Sequence, residues 1–273
     1  VDFLSAALLG VVQGLTEFLP VSSSGHLILS RALLGWDLGR FGLPFDVACH
    51  VGTLLAVLVF FARDVQAMIV ALPGAVTGRT SEYERLLRLI VVGCLPLVPM
   101  VLLFLDAIEA VRSPVVVAAA LAIGGVGLLV AEAVGAKRRG EDSITYAEAF
   151  LIGVAQACAL IPGVSRSGAT LTMALLLGVK REGAARFVFL LSLPAVAAAA
   201  AKEALDLSEV GMTGVPIALL LVGLLTSAVV GYFTVRFFLR YLANHSLAVF
   251  AYYRFAVAAV TAVWLLTRAG GGV

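Results

Sequence analysis

Apolar residues in this chain come in long runs, and six of those runs are long enough to cross roughly 30 Å of hydrocarbon at 1.5 Å per helical residue. They fall at 45–62, 85–105, 114–134, 184–201, 215–235 and 247–267. Two further apolar stretches break the pattern. In each, a long apolar arm is interrupted by Pro, Gly and hydroxyl residues, and the arm beyond the interruption, at 27–34 and 171–177, is about eight residues, or about 12 Å of helix. A helix broken inside a membrane must satisfy its freed backbone groups in protein or beside a wet cavity. Each stretch therefore reads as a re-entrant helical hairpin that enters, turns near mid-depth and leaves on its own side.

The two broken stretches are copies of each other. Shifted by 143 positions, GVVQGLTEFLPVSSSGH at 10–26 lies over GVAQACALIPGVSRSGA at 153–169 without a gap. The two match at Gly10/Gly153, Val11/Val154, Gln13/Gln156, Val21/Val164, Ser22/Ser165, Ser24/Ser167 and Gly25/Gly168. The match runs on to Leu33-Leu34-Gly35 over Leu176-Leu177-Gly178. Three predicted crossings separate the copies, and an odd number places them on opposite sides, as in an inverted repeat with a site near the midplane. The expected architecture is an all-α polytopic membrane protein, with six transmembrane helices and two re-entrant hairpins forming one membrane domain over 1–273. Repeat one spans 1–134 with its hairpin at 1–35, and repeat two spans 144–268 with its hairpin at 146–179. The longest other connection, 63–84, contains Pro73-Gly74 and several charges and is expected to be a surface loop.

Composition agrees: 62% of residues are hydrophobic and 13% charged, against about a quarter charged in soluble domains. The basic residues are scattered among loops, which argues against nucleic acid as a partner. Their distribution also sets orientation. Twelve of them (Arg63, Arg79, Arg85, Arg88, Lys137, Arg138, Arg139, Lys180, Arg181, Arg186, Arg236, Arg240) fall on one predicted face and five (Arg31, Arg40, Arg112, Lys202, Arg268) on the other. The richer face is expected to be cytoplasmic, so the first hairpin opens outward. Cys49, Cys94 and Cys158 lack a C-x-x-C partner and are expected to be buried free thiols.

The chemistry-bearing residues cluster in the two breaks. Glu17 is a carboxylate in an apolar run, which needs a partner, an ion or a cavity, and Gln13 lies one helical turn earlier on the same face. Ser22, Ser23 and Ser24 precede Gly25-His26 at the start of the short arm. Ser165, Ser167, Gly168 and Thr170 repeat that arrangement. Hydroxyl caps and unpaired first-turn N–H groups make each arm's start an anion site. Arg166, at the repeat position of Ser23, adds a planar fork suited to phosphate oxygens. An ion pair between Arg166 and Glu17 is compatible with that role. His26 follows Ser23 by three, so the two share a face if the arm is helical from the serines onward. The imidazole could then take a proton from a hydroxyl nucleophile or attack phosphorus itself. His50 and His245 read as structural. Glu132 and Arg186 lie at span ends, Arg254 is expected to snorkel to the cytoplasmic surface, and Tyr252, Tyr253 and Trp264 suit interfacial belts.

Gln13 to Glu17 as (E/Q)-x-x-x-E, Pro162 to Thr170 as P-G-x-S-R-S-x-x-T, both LLG ends and Tyr253-Arg254 together resemble the bacterial undecaprenyl-diphosphate phosphatase family linked to bacitracin resistance. The likeness covers essentially the full chain. It implies a plasma-membrane enzyme that removes the terminal phosphate of a polyprenyl diphosphate lipid, with a divalent cation, Mg²⁺ or Ca²⁺, assisting. Gln13 stands where family members commonly carry a second carboxylate, but Mg²⁺ often binds one carboxylate plus substrate phosphate oxygens. On this reading Ser23 is the nucleophile and His26 its base, and Glu17 and Gln13 hold the metal. Arg166, with Ser22, Ser24, Gly25, Ser165, Ser167, Gly168 and Thr170, binds the phosphates. A phosphohistidine route through His26 is the main rival. The site is expected to face the periplasm or cell exterior, and the sequence leaves a homodimer open.

Two other readings compete. Ser24-Gly25-His26 with Ser165-Arg166 resembles a second type of lipid phosphatase, but Thr172 stands where that type needs a later His, and K-x6-R-P is absent. A transporter or flippase for an anionic polyprenyl lipid fits the broken repeats, yet an anion in transit needs no nucleophile.

Overall fold

The computed structural model describes residues 2–34, 41–78, 81–210 and 216–270. Val1, Gly35, Arg40, Arg79 and Val215, which enter the expectations above, lie outside the described residues. Among those described there are twelve α-helices. The first two, α1 (Asp2–Thr16) and α2 (Ser23–Leu34), flank the first break. They are followed by α3 (Leu43–Phe60), α4 (Ala62–Thr77), α5 (Glu82–Cys94), α6 (Leu97–Ala110) and α7 (Pro114–Val134). The second break lies between α8 (Tyr146–Cys158) and α9 (Arg166–Leu176), and α10 (Arg181–Val210), α11 (Ile217–Asn244) and α12 (Ala248–Gly270) complete the chain.

Six helical stretches are long and apolar enough to cross a membrane: Leu43–Phe60, Glu82–Ala110, Pro114–Val134, Arg181–Lys202, Ile217–Asn244 and Ala248–Arg268. They coincide with the six expected spans, and the protein is an all-α polytopic membrane protein. The second stretch comprises α5 and α6, divided where Pro96 caps α6. Its outer surface is apolar and exposed, as at Leu102, Leu103 and Phe104, which suits contact with hydrocarbon rather than water.

Three local expectations are corrected. Segment 63–84 is mostly the helix α4, because Pro73 lies within it and the stop comes at Gly78, whose left-handed φ of 85° caps the helix by donating its N–H to Gly74 O. A proline removes one helical hydrogen bond, and here the helix also has anchors at its start, where Asp64 accepts from Tyr83 at 3.1 Å and pairs with Arg186. Only Cys49 of the three free thiols is buried; Cys94 is half-buried and Cys158 is exposed. A weakly polar thiol can face an apolar surrounding at little cost. The short arms begin earlier than the apolar pattern suggested, at Ser23 and Arg166, because the serines themselves start the helices.

Small residues let the broken pairs pack against their neighbours. A side chain at Gly10 of α1 would strike Thr226 of α11, and one at the repeat-related Gly153 of α8 would strike the backbone of Gly93 in α5. Close backbone approach through glycine is the usual way helices associate where no hydrophobic force drives them together. The largest buried cluster lies directly beneath the first break. Phe18 meets Phe189 of α10 edge-on at 5.9 Å, and Phe189 meets Phe238 of α11 at 6.0 Å. Such aromatic contacts contribute about 0.5–1.5 kcal/mol each beyond the area they bury, and they give the residue next to Glu17 a fixed seat.

Candidate active site

The repeat seen in the sequence is repeated in the backbone. Ser22 has φ of 74° and Ser165 has φ of 72°, a left-handed conformation uncommon for any residue but glycine. In each copy the serine turns the chain into the short helix and caps it. Ser22 Oγ accepts from Gly25 N–H at 3.3 Å, and Ser165 Oγ accepts from Gly168 N–H at 3.2 Å. The neighbouring hydroxyls pair in the same way, Ser22 with Ser24 at 3.4 Å and Ser165 with Ser167 at 3.2 Å. Backbone strain of this kind persists where the surroundings enforce it and is concentrated at functional sites. The first N–H groups of α2 and α9 are left without helical acceptors, and each helix start carries a partial positive charge.

The two breaks meet. Ser167 Oγ donates to Leu19 O at 2.9 Å, and Arg166 Nη2 donates to Glu17 Oε1 at 2.5 Å. Glu17 is 8% exposed, so this is a buried carboxylate held by a partner 149 residues away. Its other oxygen accepts from Ser23 Oγ at 2.7 Å and from Gln13 Nε2 at 3.0 Å. A narrow cleft beside this cluster is lined by Glu17, Phe18, Arg166, Ser167, Val188, Phe189 and Ser192. The contribution of α10 to this wall carried no sequence signal, since Ser192 lies inside a uniform apolar run.

Several contacts differ from those expected. Both nitrogens of His26 are engaged away from Ser23: Nδ1 lies 2.8 Å from Ser22 O and Nε2 lies 2.8 Å from Tyr253 Oη. The rings of His26 and Tyr253 also stack, 5.6 Å apart and 8° from parallel. The group against the Ser23 hydroxyl is Glu17 and not His26, because the turn from Leu19 to Ser22 folds the end of the first arm back over the start of the second. Thr170 is fully buried and donates its hydroxyl to Arg166 O at 2.6 Å, so it braces its own helix instead of facing the cleft. Ser22 and Ser165 are buried and spent on caps, while Ser23 and Ser24 are half-buried. Tyr253 is a neighbour of the site and not merely an interfacial aromatic. Arg254 does not snorkel: it is fully buried and donates to five carbonyls. Its proximity to Tyr253 in the sequence was the available signal.

The remaining polar residues behave as structural groups. His245 stacks on Tyr241 with ring centroids 4.4 Å apart. Glu132 pairs with Arg181 and accepts from Leu247 N–H at 2.7 Å. Arg139 holds Glu148 in a two-pronged pair at 2.5 and 3.0 Å and also donates to Leu177 O at 3.0 Å, which ties the start of α8 to the end of α9.

Among the described residues no three His, Cys, Asp or Glu side chains come together as a metal site. One observation nevertheless fits a divalent cation at Glu17. Gln13 Oε1 is buried without a hydrogen-bond partner, an acceptor with unmet capacity on the residue that already touches the carboxylate. A hard cation bound by one carboxylate, one amide oxygen and phosphate oxygens matches that donor set.

Fold and site together define a polytopic membrane protein with a buried polar centre where two broken helices meet, one supplying a carboxylate and a hydroxyl and the other a guanidinium. Residues 6–260 match the family model described as "Bacitracin resistance protein BacA". The chain is 52% identical over 269 residues to the undecaprenyl-diphosphatase of Rubrobacter xylanophilus, with 97% of this chain and 99% of that protein covered. It is 44% identical to the undecaprenyl-diphosphatase of Pelobacter propionicus, with 99% and 100% covered. The chain belongs to the BacA family.

Proposed function

We propose that this protein hydrolyses undecaprenyl diphosphate to undecaprenyl phosphate and inorganic phosphate, recycling the lipid carrier of cell-wall synthesis. The names of its relatives support the reaction. The observation that carries it is the contact of Ser23, Glu17 and Arg166 at the point where two electropositive helix starts converge.

The terminal phosphate enters this point and takes hydrogen bonds from Arg166 and from the first N–H groups of α2 and α9, drawing the guanidinium away from Glu17. Losing that partner makes the carboxylate more basic at the moment it is needed. Ser23 Oγ attacks the terminal phosphorus, its proton passes to Glu17, and the bridging P–O bond breaks to release undecaprenyl phosphate. Water then attacks the phosphoserine. Glu17, having shed the first proton to solvent, takes one from the attacking water and passes it to the Ser23 oxygen as the P–O bond breaks, which releases inorganic phosphate and restores both the Ser23 hydroxyl and the Glu17 carboxylate. Arg166 and the helix starts stabilise charge on the transferring phosphoryl group in both steps. A Mg²⁺ or Ca²⁺ ion would be held by Glu17 and Gln13 and would neutralise phosphate charge there. His26, fixed by Tyr253, lies beside this centre without touching the nucleophile.

The finer topology is part of the same reading. The pairs α1–α2 and α8–α9 act as re-entrant hairpins of an inverted repeat, the basic residues place the richer face in the cytoplasm, and the site opens to the periplasm or cell exterior of the bacterial plasma membrane. The test is phosphate release from a polyprenyl diphosphate by full-length protein in detergent, with and without a chelator. Detergent offers no compartments to move a lipid between. Release that vanishes in Arg166→Ala and falls with chelator supports catalysis with a divalent ion. Lipid movement in vesicles with no release in detergent would instead make the protein a transporter.

A further inference from the structure

Arg254 is a buried cation for which the reaction above has no use. It is fully buried in a chain whose surroundings are hydrocarbon and protein, where an unpaired charge is strongly disfavoured. Its contacts are main-chain carbonyls drawn from three separate segments. Nη1 donates to Pro20 O at 3.2 Å and Val164 O at 3.1 Å, and Nη2 donates to Gly163 O and Val164 O, each at 3.1 Å. Nη2 and Nε also reach Ala120 O and Leu121 O in α7, each at 2.9 Å. Pro20 lies in the first break and Gly163-Val164 in the second, and Pro20 and Gly163 occupy equivalent repeat positions. Backbone without regular structure inside a membrane must find donors for its carbonyls, and a planar guanidinium with five N–H groups can serve several at once.

We infer that Arg254 is a positioning residue for the phosphatase reaction, pinning both breaks to α7 so that Arg166 and Ser23 are held in register, and that Gly124 is glycine to admit it. The inference rests on the proposed function. Val164 precedes Arg166 by two residues and Pro20 precedes Ser23 by three, so a shift at either carbonyl moves a reacting group. A methyl at Gly124 would stand 2.5 Å from the guanidinium carbon and closer still to Nη2, and one at Gly168 would stand 2.9 Å from Nη1. The hollow that receives the fork is thus made by α7 on one side and by the start of α9 on the other. A positive charge alone would serve equally well as lysine; a pin requires the fork.

The test compares Arg254→Lys, Arg254→Met and Gly124→Ala in full-length protein, using kcat and KM for phosphate release together with amide hydrogen exchange. For folded variants, judged by an unchanged elution volume in detergent, Arg254→Met and Gly124→Ala should lower kcat about 100-fold, the scale of a 1 Å misplacement. KM should stay within about threefold, since no substrate contact is lost. Arg254→Lys should also lose kcat, and exchange should rise over 17–22 and 160–165 while α5 and α11 keep wild-type protection. Wild-type kcat in Arg254→Lys or Gly124→Ala, or a loss carried by KM, overturns the inference. If Arg254→Met does not fold, Arg254→Lys and Gly124→Ala decide. If wild-type protein releases no phosphate, the functional reading has failed instead, and the exchange comparison alone tests the pin: protection lost selectively at both breaks supports it, and unchanged protection overturns it.

Discussion

Ser23 Oγ lies 2.7 Å from Glu17 Oε2, while His26, three residues further along the same helix, presents both ring nitrogens elsewhere. The hydroxyl and the carboxylate are therefore the pair on which the proposed reaction rests, and the imidazole is a neighbour. Glu17→Gln should lower kcat by about 10²–10⁴, the range for loss of a positioned general base. Ser23→Ala should do at least as much. His26→Gln should cost less than either. Steady-state phosphate release in detergent checks the order, and a His26→Gln defect as deep as that of Glu17→Gln would contradict it.

The Arg166–Glu17 pair makes a prediction about stability distinct from activity. Glu17 is buried and Arg166 partly so, and removing one partner of a buried pair leaves the other unpaired, at a cost of roughly 3–5 kcal/mol. Arg166→Met should thus lower the melting temperature in detergent, and adding Glu17→Gln should restore much of the loss although the double variant is inactive. A double variant no more stable than Arg166→Met would show that the pair contributes nothing to the fold.

The His26 geometry dictates a tautomer. Ser22 O can only accept, so Nδ1 carries a proton, and Nε2 of the neutral ring accepts from the Tyr253 hydroxyl. Nitrogen NMR of histidine-labelled protein should show a protonated Nδ1 at His26 near neutral pH. Tyr253→Phe should remove the Nε2 partner and shift that nitrogen's resonance. A protonated Nε2 in the neutral ring would contradict the assignment.

Acid should loosen the second helix pair. The two-pronged Arg139 pair, opposed by partial burial and reinforced by the Thr145 N–H, holds the Glu148 carboxyl down to about 2. A carboxylate depressed in the folded state adds stability that is present above its ordinary range and is lost as pH falls through the folded value. Stability should therefore decline from about pH 4.5 toward pH 2. Glu148→Gln should start lower and flatten that decline, which thermal melting across the range measures; an unchanged slope would contradict it.

Much of this was legible in the sequence because the repeat is so close. Serines equivalent at an offset of 143 residues predicted equivalent caps, and Ser22 and Ser165 share both the left-handed turn and the bond to a glycine N–H. The six apolar spans were legible for the same reason that makes hydropathy informative in membranes: every backbone group must be satisfied within its own helix. Helix α4 was missed because Pro-Gly usually marks a turn, whereas here the stop depends on Gly78. Arg254 was misread because its position on one helix says nothing about the hollow that Gly124 and Gly168 form on two others. The contact between Ser23 and Glu17 was not legible because the spacing of Ser23 and His26 describes one helix, while the position of Glu17 depends on how the break folds back.

The central claim is that Ser23, with Glu17 as its base, attacks the terminal phosphorus. The most direct measurement is rapid acid and parallel neutral quench of the protein turning over polyprenyl diphosphate labelled in its terminal phosphate, followed by peptide mapping. Acid-stable label on Ser23, absent in Ser23→Ala and reduced in Glu17→Gln, is the predicted result. Acid-labile label on His26, or no label on the protein under either quench, would contradict it.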